Sequence, residues 1–316
     1  MERLNLKLVQ DPGRLIEDFC KDCKLRGMTD ESVRRYKSSL LIFATFLLNR
    51  GVNVNDANTH VLKDFLQYLV YERMSKHRTV EQYFSALSAF FDYLSFEGLS
   101  TTNPVLPFRK RYLRRYKNGY DDPERKLLSV EEMSRLVSSI MDSRDKAIAV
   151  LLAKTGIRRS ELLKLDIDDI HWEDYSITLK PTPKRSNRIV FFDDECALVF
   201  RRWLRVREKL NPKIKALFVS YQSLNRLDRN GLYTAIVKYA TRLGFYNSNS
   251  SKLEDHFGPH CFRHWFTTWL LRNGMPREYV KELRGDRRKE AIDIYHHIDK
   301  EELRKTYLAC ISKLGV

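Results

Sequence analysis

No uninterrupted apolar run of about 18 residues occurs in the 316-residue sequence, and no positively charged, then apolar, secretory pattern marks its N-terminal region. The first absence argues against a membrane span and the second against export, so a cytoplasmic protein is expected. Cysteine is scarce and scattered. Cys20, Cys23, Cys196, Cys261 and Cys310 are an odd number without the pattern of a disulfide framework, which points to reduced thiols. Cys20 and Cys23 form a C-x-x-C, but no second pair follows. Both lie on an apolar helical stripe with Leu15, Ile16 and Phe19, so packing is expected of them rather than metal binding. Nothing repeats internally.

Acidic residues are outnumbered. The chain carries 57 Lys and Arg against 41 Asp and Glu, a net charge of +16, and its pI is about 9.6. Such an excess attracts a polyanion, and an aromatic content of 12% with 43% hydrophobic residues excludes a disordered basic tail. Double-stranded DNA is the expected partner, and the length suits about two domains.

Residues 1–107 read as a small all-helical module. Leu15, Ile16, Phe19 and Cys23 recur at helical spacing, as do Val33, Tyr36, Leu40, Ala44 and Leu47, then Val61, Leu62, Phe65, Leu66 and Leu69, then Val80, Tyr83, Phe84, Leu87 and Phe91. After Asn103-Pro104 the pattern breaks. Residues 108–127 carry Arg109, Lys110, Arg111, Arg114, Arg115 and Lys117 among tyrosines, either a solvated linker or a strap across a sugar-phosphate backbone.

Residues 128–316 are mixed. Ser129 with Glu132 forms a capping box that opens a helix, and Ile148 to Ala153 reads as a buried helix stopping at Thr155-Gly156. A further helix begins around Arg158. Ser176 to Lys180 and Arg188 to Phe192 read as strands, parted by a proline-bearing turn with Lys184 near its tip. Helices are expected over 201–210, 232–243, after Gly258-Pro259, and over 301–314. The fold class is mainly α with a small β-sheet (α+β).

Three separated stretches carry chemistry. Arg158-x-x-Glu161, His260-x-x-Arg263-His264 and Tyr295 combine two guanidiniums, which can grip one phosphate bidentately, with histidines that move protons and a phenol that can attack phosphorus. The helix after Pro259 turns Phe262, Trp265, Phe266 and Trp269 to the core and leaves Arg263 and His264 off the core-facing side, with His260 at its entrance, a natural seat for phosphate. Individually these residues could be caps, surface charges or packing. His296-His297 is not expected to hold a metal, since adjacent histidines rarely converge on one ion and no third ligand is evident.

The runs Thr155-Gly156-Ile157-Arg158-Arg159-Ser160-Glu161-Leu162, His260-x-x-Arg263-His264 and Ile294-Tyr295-His296-His297 resemble, in order and separation, the signature boxes of the tyrosine recombinases, the phage-integrase and Xer-type DNA recombinases. The resemblance covers most of the chain. It implies a helical core-binding domain and a catalytic domain that form a C-shaped clamp around DNA. It makes Tyr295 the nucleophile, Arg158 and Arg263 the phosphate-binding pair, His260 a proton-transfer residue, and Glu161 an acidic support, with His264 beside them. Lys184 is the expected hairpin lysine and Lys180 the alternative. No metal and no cofactor is implied.

One position departs from the family. Where many members have Leu-Gly-His before the nucleophile, this chain has Leu283-Arg284-Gly285-Asp286. An aspartate facing phosphate repels it unless an adjacent cation such as Arg287 or Arg288 intervenes, so Asp286 is expected to orient Arg287 or another basic residue. The expected activity is cutting and rejoining of double-stranded DNA through a 3′-phosphotyrosine and a Holliday junction. That implies a homotetramer on synapsed DNA, a monomer or dimer when free, association with the nucleoid, and exchange of the last helix between protomers. Integration or excision of a mobile element is preferred. Chromosome or plasmid dimer resolution, nicking and closing of one strand, and catalytically silent DNA binding stand as alternatives.

Overall fold

Apolar side chains returning every three to four residues predict helices packed through one stripe, and that is how residues 11–113 fold. In this computed structural model, which describes residues 11–113, 126–181, 188–250, 252–286 and 298–316, the chain divides into two compact units, Met1–Tyr120 and Asp121–Val316.

The first unit holds α1 (Pro12–Leu25), α2 (Asp30–Leu48), α3 (Thr59–Gln67), α4 (His77–Phe96) and α5 (Val105–Tyr112). Their apolar stripes meet in one core that includes Phe19, Phe43, Phe65, Phe84 and Phe91. Cys20 and Cys23 are buried there as packing groups, and burial pushes both thiols up, away from the reactive thiolate form. Val105, Phe108 and Leu113 belong to the same core. The basic run expected as a linker from residue 108 therefore begins as helix: Arg109, Lys110 and Arg111 lie on α5. Asn103-Pro104 opens this helix because the Asn103 Oδ1 accepts the Val105 N–H at 2.9 Å.

The second unit contains α6 (Val130–Ser138), α7 (Ser143–Thr155), α8 (Arg159–Lys164), β1 (Ile170–His171), β2 (Ser176–Leu179), β3 (Arg188–Phe191), α9 (Asp194–Leu210), α10 (Arg229–Arg242), α11 (Pro259–Arg272), α12 (Arg277–Arg284) and α13 (Lys300–Cys310). The capping box predicted at Ser129 and Glu132 is formed. β2 pairs antiparallel with β3, Ile177 opposite Val190, as the hairpin reading predicts. β1, too short for any periodic signal, adds a third strand to the other edge of β2. The central element is α7, in which every residue from Ala147 to Thr155 is buried; α9, α10 and α11 surround it.

The final helix is shorter than predicted. α13 ends at Cys310, and Ile311 to Val316 run on without helical structure, although Leu314 is buried in the main core of its own unit. The Leu314 and Gly315 N–H groups donate to Glu195, and the Leu314 carbonyl accepts from Ser134 Oγ. Lys154, fully buried on α7, binds Asp193 at 2.7 Å, Glu195 at 2.5 Å and the Ser312 carbonyl at 2.8 Å. In this structure the terminal segment thus docks on its own chain.

Candidate active site

Gly156 stops α7, and its left-handed backbone (φ 57°) has a steric reason as well as a local one. A Cβ there would fall 2.3 Å from the Phe266 ring of α11. The close approach lets the Gly156 carbonyl accept from Arg263 Nη1 at 2.7 Å. Two residues later Arg158 caps α8. Its backbone N–H donates to Glu161 Oε2 at 2.7 Å and its Nη1 to Glu161 Oε1 at 3.2 Å, so the Arg-x-x-Glu spacing closes into a local ring.

Arg263 is placed differently from the sequence expectation. It does not lie off the core-facing side of α11; the residue is only 5% exposed. Its Nη2 donates to the Arg284 carbonyl at 2.8 Å, and that carbonyl also accepts from Arg158 Nη1 at 3.2 Å. Two guanidiniums separated by more than a hundred residues therefore converge on one peptide oxygen at the end of α12. Burial lowers the Arg263 pKa to about 10, and the neighbouring Arg284 charge adds to this. The group stays charged at neutral pH.

Asp286 was expected to orient Arg287 or another basic residue; Arg287 lies outside the described residues, as does Arg288. The Asp286 carboxylate sits on the arginine cluster. Oδ1 lies 3.4 Å from Arg263 Nη2 and 3.7 Å from Arg158 Nη2, and Oδ2 lies 3.2 Å from Arg284 Nε. A carboxylate rests where the paired guanidiniums offer their donors. Asp286 follows Gly285, whose left-handed backbone (φ 59°) ends α12 and turns the chain back.

His260 and His264 occupy successive turns at the start of α11, both exposed, with ring centroids 4.9 Å apart and edge to face. His260, Arg158 and Arg263 line a cleft of about 550 Å³ together with Arg229, Tyr233 and His256. The positive end of α11 opens into it. A hydrogen bond to the Tyr246 hydroxyl pushes the Tyr233 phenol up to about 12.

Sequence reasoning missed one charged group at this site. Arg188, the first residue of β3 and buried, forms a two-pronged ion pair with Glu161: Nη1 to Oε1 at 3.0 Å and Nη2 to Oε2 at 2.8 Å. The signal available was a lone arginine opening an otherwise apolar strand. Lys180, the alternative hairpin lysine, is held in ion pairs by Asp166 and Asp169 on the segment before β1. Burial acts to raise the Asp166 pKa, but hydrogen bonds from Lys180 and Arg226 bring it below the usual carboxylate value. Lys184 and Tyr295 lie outside the described residues, as do Arg114, Arg115 and Lys117. Of the other basic residues singled out, Arg109 donates to Ser85 Oγ at 3.1 Å, and Lys110 and Arg111 are exposed. Among the described residues, no three His, Cys, Asp or Glu side chains are grouped to hold a metal ion, and no helix is long and apolar enough to cross a membrane.

A cluster of buried and half-buried arginines around a cleft, with donors already turned toward a resident anion, can bind a phosphodiester and stabilise charge developing on it. Comparison with known proteins agrees. Residues 126–302 match the phage integrase family and residues 15–98 its N-terminal SAM-like domain. The tyrosine recombinase XerD of Listeria monocytogenes serotype 4b is 28% identical over 305 residues, spanning 93% of this chain and 97% of the relative. The tyrosine recombinase XerC of Alcanivorax borkumensis is 31% identical over 240 residues, 73% of this chain and 72% of the relative. Among solved structures, the Tn1549 transposon integrase in complex with circular intermediate DNA superposes with a TM-score of 0.67 at 18% identity, covering 92% of this chain and 98% of that one. XerH site-specific recombinase bound to difH gives 0.63 at 22%, covering 93% and 82%.

Proposed function

The chain belongs to the phage integrase family, and from that premise we propose how it acts as a site-specific tyrosine recombinase on double-stranded DNA. Arg158 and Arg263 hold the non-bridging oxygens of the scissile phosphate. The Tyr295 hydroxyl attacks phosphorus, its proton passing to His260, while the bond to the 5′ oxygen breaks and that oxygen takes a proton from Lys184. A 3′-phosphotyrosine remains. The 5′ hydroxyl of a second strand reverses the step, so the phosphodiester energy is conserved and neither ATP nor a metal takes part. Tyrosine's unperturbed pKa of about 10 is why the attack needs both a base and concentrated positive charge.

The observation that carries this reading is the convergence of the Arg158 and Arg263 guanidiniums on the Arg284 carbonyl and on Asp286. Asp286 holds the place of an anion, and a phosphate entering the cleft displaces it. Two strand exchanges through a Holliday junction need four active sites, so a homotetramer on synapsed DNA is the working assembly, with a monomer or dimer when free. Arg109, Lys110, Arg111, Arg114, Arg115 and Lys117 would contribute phosphate contacts to the duplex. The cytoplasm, on the nucleoid, is the place for such an activity.

Integration or excision of a mobile element is the preferred biological role. Dimer resolution is the second, favoured by the XerC and XerD relatives. A nicked suicide duplex carrying the cognate site tests the chemistry: the wild-type chain is expected to trap as a covalent adduct and Tyr295→Phe to give none. Loss of supercoils without joining of two marked duplexes would instead identify nicking and closing.

A further inference from the structure

Glu161 is shared. Arg158 reaches both carboxylate oxygens, Oε2 with its backbone N–H at 2.7 Å and Oε1 with its side chain at 3.2 Å, and Arg188 takes the same two with its fork at 3.0 and 2.8 Å. The Arg188 side chain is 7% exposed and Arg158 26%, so only Arg158 is open to a ligand. Arg188 also packs closely against the turn after α12. A Cβ on Gly285 would sit 2.3 Å from Arg188 Nη1 and 2.8 Å from Arg188 Cζ. The peptide carbonyl of Arg284, just before that glycine, is the one that accepts from both Arg158 and Arg263.

Two physical consequences follow from this placement. A carboxylate beside Arg158 with no other cation would neutralise it and draw the guanidinium from the phosphate, because an ion pair of Arg158 and Glu161 alone has no net charge. Arg188 supplies the second positive charge, so the trio keeps one positive charge facing the cleft. The same guanidinium walls in the Gly285 turn, which sets where the Arg284 carbonyl aligns the catalytic pair. Lysine could restore the charge but not the two-pronged fork.

We propose that Arg188 is a positioning residue for DNA cleavage, acting through Glu161 and the Gly285 turn on Arg158 and Arg263. The proposal rests on the phosphate-gripping role given above to that pair. It makes β3 a strut of the active site, and not only one side of a hairpin. Arg188 touches no substrate atom, and its influence falls on the chemical step more than on duplex binding, which many phosphate contacts share.

The test is single-turnover cleavage of a nicked suicide duplex at saturating protein, alongside duplex affinity and thermal unfolding of each full-length variant. Arg188→Met is expected to slow cleavage on the order of 100-fold or more, with duplex Kd changed less than about threefold. Arg188→Lys should fall between, roughly tenfold slow. Glu161→Gln added to Arg188→Met should recover about tenfold, because removing the negative charge removes the need for its partner; a purely structural Arg188 would make the double variant worse. Cleavage by Arg188→Met at the wild-type rate, or further loss in the double variant, would overturn the proposal. If Arg188→Met does not fold, Arg188→Lys decides: tenfold slowing supports the proposal and a wild-type rate refutes it. Arg158→Ala and Arg263→Ala in the same assay separate the two claims. If they cleave normally the phosphate grip itself is wrong; if they are dead while the Arg188 variants are active, only the positioning role fails.

Discussion

Two charged clusters sit in the same unit and are built oppositely. Around Lys154, two lysines (154 and 313) meet two carboxylates, Asp193 and Glu195, and the terminal segment closes over them through Ser312 and Leu314. Around Glu161, four arginines (158, 188, 263 and 284) meet two carboxylates, Glu161 and Asp286, and Arg158 still faces the cleft. The first is neutral and shut, as folding favours for buried charge. The second carries a surplus of positive charge that desolvation makes costly, retained where a phosphate completes it. Balance, more than burial, separates a brace from a binding site.

The largest effects should fall on the unbalanced cluster. Arg158→Ala or Arg263→Ala is expected to lower single-turnover cleavage about 1,000-fold or more, since each removes a donor to charge that develops in the transition state. Duplex affinity, measured in parallel, should change far less. Loss of affinity and rate in equal proportion would turn the pair into ordinary DNA contacts.

The closed cluster should respond in stability alone. Lys154→Met takes the buried cation from Asp193 and Glu195, leaving the buried Asp193 carboxylate only the exposed Lys313, and is expected to cost about 3–5 kcal/mol in urea unfolding, while cleavage per folded molecule stays at the wild-type rate. A cleavage defect in the folded variant would erase the distinction between the clusters.

Asp286 offers a smaller effect with the opposite sign. Removing its charge by Asp286→Asn vacates the arginine pair without deleting a donor, and inorganic phosphate, titrated calorimetrically without DNA, should bind about tenfold more tightly. Unchanged affinity would mean that Asp286 does not compete for the seat.

The weakest expected effect is acid sensitivity. Burial acts to raise the Glu195 pKa, but hydrogen bonds from Lys154 and from the Leu314 and Gly315 N–H groups bring it below the ordinary value. A carboxyl depressed by folding contributes stability that is full above its unfolded pKa and is lost as pH falls through the folded one. Glu195→Gln should therefore flatten the acid limb of the stability curve below about pH 4.5 and leave the neutral plateau lower. An unaltered acid limb would assign the acid sensitivity to other groups.

Periodicity made the helices legible because each buries one stripe, and α7 was legible as an apolar run. Arg158 and Glu161 were legible as a pair because one helical turn separates them. Arg263 was misread as lying off the core-facing side because an arginine on a helix is assumed to seek water; only the Gly156 and Arg284 carbonyls, brought from elsewhere, give it buried partners. Arg188 escaped notice for the same reason. Its partner Glu161 is 27 residues away, and no local pattern encodes a contact made by tertiary folding. β1, two residues long, offered no period to read, whereas Ile311 and Leu314 continue the period of the last helix and carried the expected helix past its end at Cys310.

The most direct measurement is to digest the trapped protein-DNA adduct and locate the nucleotide by mass spectrometry. A single modified peptide, carrying the DNA 3′ phosphate on Tyr295 and absent when Arg158 or Arg263 is replaced by alanine, is the predicted result. The nucleotide on another residue, or an adduct that forms undiminished without those arginines, would contradict the account.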